Sequence, residues 1–339
     1  MSGCLASLSA ADELDNLLEA SDESDAAADS DNLSPEILNA LCVIEGEAGV
    51  GSGFFCTIRD IPFAVTNIHV LAGNQRFKIL TIDGDEVAPM AIAIAQDHDI
   101  ALIRVDASQV PETLELMDSP SRNVSLGDRV IVPGNESGQG VVTQVKGKVK
   151  GIGPQQIEVD ARFVTGNSGS PILHAQTGKV IGVATYLITY RTDDVRNRAG
   201  KSDTRWLGYR IDSVKNWEPV AWQRFVHEAK EFSKIERTTD ELYAYLSDGD
   251  LGDNPDLEDA VAMARRDLST ADNRERVIDI IKTFNLRLNS VATADLKKFR
   301  KQNPYDYFSD RAEEHERYRK AVIDFLEDSD THLRNLRRQ

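Results

Sequence analysis

From about residue 36 to 218, short runs rich in Val, Ile and Phe alternate with clusters of Gly, Asp, Asn and Pro. The spacing predicts strands over 41–47, 53–58, 62–66, 77–82, 87–94 and 100–105. A second series follows over 129–133, 141–150, 156–160, 171–173, 180–187 and 206–211. Evenly spaced short strands punctuated by turn residues are the pattern of a sandwich or barrel. A polar, Pro-containing stretch over 107–127 separates the two series. The arrangement therefore predicts an all-β double barrel of six strands each.

From about residue 219 the period becomes helical. Trp222, Phe225, Val226, Ala229, Phe232 and Ile235 form one stripe of an amphipathic helix. The Gly- and Asp-rich stretch 248–255 reads as a loop, and further helices are expected near 256–268, 271–289 and 309–336. Their apolar stripes need something to pack on: each other, the β region or a second chain.

Charge separates a third zone. Residues 1–34 hold nine acidic side chains and no Lys or Arg, a composition that favours a solvated tail. The whole chain carries a formal charge of −17, and −8 without that tail. This balance argues against nucleic acid and against an anionic membrane surface, both of which are bound through basic patches. The start of the chain lacks the basic and apolar regions of a signal peptide, and no apolar run is long enough to cross a bilayer. Three cysteines, Cys4, Cys42 and Cys56, give no disulfide framework. These features together make a cytoplasmic location the expectation. The tail could also act as an inhibitor or a partner-binding arm.

Three segments of the β zone carry candidate chemistry. Thr66-Asn67-Ile68-His69-Val70-Leu71 places a histidine after an apolar strand. Asp97-His98-Asp99-Ile100-Ala101-Leu102 places an acid before a strand. Gly166-Asn167-Ser168-Gly169-Ser170-Pro171 places a serine in a glycine-flanked loop. A serine hydroxyl becomes a nucleophile at neutral pH when a neutral imidazole takes its proton, and a carboxylate fixes that imidazole's tautomer. Glycines beside the serine let two backbone N–H groups converge on a developing oxyanion. By proximity alone, Asp97 and Asp106 compete with Asp99.

The order His, Asp, Ser, at intervals of 30 and 69 residues, resembles that of the trypsin-like (chymotrypsin-fold) serine proteases. TNIHV, DIALI and GNSGSP are similar to that family's three motifs. Gly51-Ser52-Gly53-Phe54 and Val180–Tyr186 resemble its strands before the histidine and beside the substrate. The resemblance covers about 36–218 and implies His69 as general base, Asp99 as its orienting acid and Ser168 as nucleophile. It also implies an oxyanion hole made by the N–H groups of Gly166 and Ser168. His98 is expected to face the surface. Asn167 stands where digestive relatives carry an aspartate that pairs with a freed N-terminus, so activation by N-terminal clipping is not expected. Gly-Asn-Ser-Gly is similar to the Deg/HtrA proteases and to bacterial glutamyl endopeptidases, and Ser170 is shared with the latter. In place of the PDZ domain usual after a Deg/HtrA protease domain stands the helical zone.

The resemblance places Arg162 at the base of the pocket for the residue before the cut, with Phe163 and Thr185 on its walls and Tyr186 on the substrate strand. A cation there would favour an acidic side chain; the alternatives are that Arg162 pairs with Asp160 or turns outward. The expected organisation is an acidic tail over 1–34, a trypsin-like serine protease domain over 35–218 and an α-helical domain over 219–339. The expected function is a regulated serine endopeptidase acting on polypeptides, with no cofactor and no metal. Its helical domain would bind a regulatory protein or self-associate. The alternative is a latent protease fold acting as a binding or chaperone-like module.

Overall fold

The computed structural model describes residues 33–135, 142–192, 201–246, 296–317, 319, 320 and 324. The expected helices over 256–268 and 271–289, nearly all of the acidic tail and the end of the last expected helix lie outside the described residues. The first strand series forms β1 (Leu41–Gly46), β2 (Val50–Ile58), β3 (Ile61–Thr66), β4 (Phe77–Thr81), β5 (Glu86–Val87), β6 (Pro89–Ala95) and β7 (Ala101–Val105). The second forms β8 (Arg129–Gly134), β9 (Thr143–Ile152), β10 (Gln156–Val159), β11 (Pro171–His174), β12 (Val180–Thr192) and β13 (Lys201–Tyr209). The chain then returns as β14 (Trp217–Pro219) to pair antiparallel with β6.

The second series closes into a six-stranded barrel in the order β10-β13-β12-β11-β8-β9. The first makes a curled eight-stranded sheet in the order β14-β6-β7-β3-β2-β1-β4-β5. Together they fit the expected double barrel, but the first sheet counts eight strands where six were expected, because β14 joins it and one expected run divides in two. The run expected as a single strand over 87–94 breaks at Pro89, which has no N–H to give to a ladder, and the register with β7 shifts between Pro89 and Ala91.

Both faces of the first sheet are buried. Along its strands successive residues point to opposite sides, so Ile44, Phe55, Ala64 and Ile103 enter one core while Leu41, Phe54, Val65 and Leu102 enter another. The second of these cores also takes Leu173, Val180 and Val183 from the closed barrel, so it forms the seam between the sheets.

The first is shared with helices. Short helices α1 (Pro35–Asn39), α2 (Ile68–Ala72) and α3 (Pro120–Asn123) precede the long α4 (Trp222–Leu246). Helical segments over 296–301 and 306–317 follow as α5 and α6. Phe225, Ala229, Phe232 and Ile235 of the α4 stripe are buried with Phe299, Tyr305 and Phe308 against Ile44, Phe55 and Ile68. The helices therefore pack on each other and on the β region, two of the three partners that their stripes allowed. Among the described residues, no helix is long and apolar enough to cross a membrane.

Candidate active site

The site is built where α2, the turn before β7 and the loop before β11 meet. Asn67 ends β3 and opens α2, which presents His69 with its side chain 41% exposed. Asp99 is buried, and its two oxygens take separate bonds from one residue. Oδ1 accepts the backbone N–H of His69 at 3.1 Å, and Oδ2 lies 2.6 Å from Nδ1 of the imidazole. An ionised carboxylate only accepts, so Nδ1 carries the proton and Nε2 keeps its lone pair.

Burial pushes the Asp99 carboxyl upward. The positive end of His69, its hydrogen bonds and the guanidinium of Arg311 outweigh that, and hold the group below the usual carboxylate range.

The two competing acids are otherwise occupied. Asp97 Oδ1 bonds Nδ1 of His98 at 2.7 Å, and Asp106 caps its own turn by accepting from Ser108. The expectation of a surface His98 is corrected here. Its ring is buried, bonds Ser213 Oγ through Nε2 at 2.7 Å and packs against Tyr209. Two polar partners and an aromatic neighbour make burial of that ring inexpensive.

Ser168 stands in the loop over 164–170, where Gly166 and Gly169 adopt φ of 98° and 89°. A side chain at Gly169 would meet Ser52 O at 2.1 Å, so only glycine fits. The N–H groups of Asn167, Gly169 and Ser170 all find backbone carbonyls. Those of Gly166 and Ser168 have none among the described residues, so the two donors expected to form the oxyanion hole are not claimed by backbone carbonyls. The hydroxyl of Ser168 donates to Thr185 O at 3.4 Å rather than to His69.

Three residues that the motifs did not single out hold this geometry. The Asn67 amide donates to Asp99 O at 2.6 Å and to Thr185 Oγ1 at 3.1 Å, tying the acid's turn to β12. Ser52 Oγ donates to Gly166 O at 2.7 Å and accepts from Asn135 N at 2.8 Å, tying β2 and β8 to the serine loop. Gly134 leaves room for this cluster, since a Cβ there would lie 2.0 Å from Ser170 Oγ and 2.7 Å from Asn167 Nδ2. Asn67 and Ser52 lie inside motif segments and Gly134 ends β8, but the motifs gave none of the three a role.

The expected pocket residues are placed as follows. Thr185 directs its hydroxyl to Val183 O and accepts from the Asn67 amide, which also holds Asp99 O. Phe163 packs into the closed barrel, where its carbonyl accepts the Trp206 indole N–H. Tyr186 pairs through its backbone with Leu207, and its side chain lies outside the described part. Arg162 is exposed, and Asp160 accepts the backbone N–H of Lys148.

Residues 51–183 match the family model for a trypsin-like peptidase domain. Over 146 residues the chain is 30% identical to a probable periplasmic serine endoprotease, DegP-like, of Rhizobium meliloti, covering 41% of this chain and 28% of the relative. It is 31% identical over 150 residues to the mitochondrial serine protease HTRA2 of Bos taurus, covering 41% of this chain and 32% of the relative. The match thus spans about a third or less of those relatives' length. Among solved structures, a serine endoprotease from Yersinia pestis aligns with a TM-score of 0.41 at 20% identity, over 52% of this chain and 59% of that one.

Proposed function

We propose that this chain, in which residues 51–183 are a trypsin-like peptidase domain, is a serine endopeptidase that cleaves polypeptides through an acyl-enzyme. The observation that carries the reading is the bond between Nδ1 of His69 and the buried carboxylate of Asp99, beside a serine loop with two N–H groups that no backbone carbonyl among the described residues claims. Ser168 attacks the substrate carbonyl while Nε2 of His69 takes its proton. Asp99 stabilises the imidazolium so formed, and the N–H groups of Gly166 and Ser168 receive the oxyanion. The imidazolium then protonates the leaving amine, and water releases the acyl group by the same steps in reverse order.

Proton transfer requires the Ser168 hydroxyl to leave Thr185 O and meet Nε2, so a resting state of low activity fits the same site. Arg162, screened by water, gives at most a weak preference for an acidic side chain before the cut, worth about 1 kcal/mol or less. Glu and Leu peptides otherwise identical are expected to differ by less than about fivefold in kcat/KM. A fluorophosphonate probe should label Ser168 in the full chain, and Ser168→Ala should abolish both labelling and casein cleavage. Wild-type protein labelled at no serine would overturn the reading.

A further inference from the structure

The helices meet the β region at the two segments that carry His69 and Asp99. On the histidine side, Ile68 and Leu71 flank His69 in α2 and are fully buried in the core that holds Phe225 and Phe232 of α4. Trp222 opens α4, donates its indole N–H to Gln75 O at 2.9 Å just beyond α2, and meets the Phe77 ring edge-on at 5.0 Å. The histidine's helix is therefore seated on a helix from outside the matched domain.

On the acid side, Tyr307 of α6 shares the core with Ala101 and Ile103 of β7, the strand that follows Asp99, and Arg311 stands one turn further along α6. Tyr307 is buried, and the Arg311 guanidinium lies 5.5 Å from its ring centroid and 5.8 Å from that of Phe232. Arg311 donates to Glu236 of α4 at 3.0 Å. Arg311 and Asp99 lie close enough for their charges to act on each other, and the Asp99 charge also acts on Tyr307. The titratable groups around the carboxylate are thus His69 from α2 and Arg311 and Tyr307 from α6. Glu236 of α4 faces Arg311, and Tyr209 of β13 faces Tyr307.

This arrangement meets a physical requirement. A buried carboxylate loses solvation and needs a second source of positive potential to stay ionised, yet an uncompensated cation would oppose the imidazolium formed during attack. Arg311 supplies the first, and Glu236 moderates the second.

We propose that Arg311 is a positioning residue of the active site, and that docking of α4 and α6 on the first sheet sets His69 and Asp99 in working register, making the helical part a control element of the peptidase. The proposal rests on the serine-peptidase reading and reaches residues more than two hundred positions from the acid that they serve.

The test follows the rate of Ser168 labelling by a fluorophosphonate across pH 5 to 9, in the full chain, because labelling needs no knowledge of the substrate. Arg311→Met should slow labelling about tenfold at neutral pH. It should also move the acid limb of the profile to higher pH, since removing a cation lets the His69–Asp99 pair hold its proton more tightly. Arg311→Lys should restore the limb. A folded Arg311→Met protein, matching wild type in near-ultraviolet circular dichroism, with an unchanged limb would overturn the proposal. Should Arg311→Met fail to fold, Glu236→Gln answers instead. It frees Arg311 of its counter-ion and should move the limb to lower pH, and no movement is the overturning result. Absence of labelling in wild type would overturn the peptidase reading, and this inference with it.

Discussion

The hydroxyl of Ser52 reaches across the seam between the two sheets to donate to the carbonyl of Gly166 at 2.7 Å. A residue of the first sheet thereby fixes a peptide plane in the loop that carries Ser168. Ser52→Ala would leave Gly166 O and Asn135 N without this buried partner. The cost expected is about 1–3 kcal/mol in stability. Labelling of Ser168 should slow by about one to two orders of magnitude, less than the ~10²–10³ for outright loss of an oxyanion donor. Thermal melts and labelling rates measured on the same preparation check both.

Gly134 makes a second, steric demand on the same loop. A methyl group there overlaps Ser170 Oγ and Asn167 Nδ2, both in fully buried residues. Gly134→Ala should therefore cost about 1–3 kcal/mol by overpacking. It should also depress activity beyond what the lowered melting temperature explains, because the atoms displaced belong to the loop of Ser168. An enzyme that melts earlier but reacts at the wild-type rate at low temperature would show that the loop yields without moving the two N–H groups.

The carboxylate of Asp99 is bonded through both oxygens to His69. Asp99→Asn keeps the shape but offers a donor as well as an acceptor, so the ring is held in the wrong tautomer and Nε2 can no longer accept the serine proton. A loss on the order of 10⁴ in kcat is expected with the fold intact. Steady-state cleavage of casein, with circular dichroism as the control, checks it. Asp97→Asn should change activity far less, since Asp97 serves His98.

Most of the strands and all three motifs were legible in the sequence, because each depends on short-range pattern. Short apolar runs between turn residues mark β2, β3 and β7, whose two faces are both buried, and the glycines around Ser168 mark a tight loop. The features that escaped depend on partners far along the chain. His98 is buried because Ser213 and Tyr209 come to it from more than a hundred residues away. The Thr185 hydroxyl is tied to the acid's turn because Asn67, more than a hundred residues earlier, bonds both. The Phe225 to Ile235 stripe announced that α4 would be covered, but periodicity names the buried face and never its partner. Only the fold shows that this face shares a core with the residues on either side of His69.

The α6 helix also predicts a dependence of stability on pH. His315 lies one turn beyond Arg311, its ring edge-on to Phe232 and its Nδ1 3.0 Å from Thr239 Oγ1. Burial, then the charges of Arg311 and Arg319, pushes its imidazole down to about 4 from an ordinary 6.5. Between those two values the unfolded chain takes up a proton that the folded chain refuses, so stability rises with pH across the window and falls as the solution is acidified. The loss from pH 7 to pH 5 should be about 1–2 kcal/mol. His315→Gln keeps a polar partner for Thr239 but does not titrate there, so it should flatten the change in melting temperature between those two pH values. An unchanged pH dependence in the variant would assign the acid sensitivity to other groups. A flattened one would make acidification a way of loosening the helices that seat His69 and Asp99.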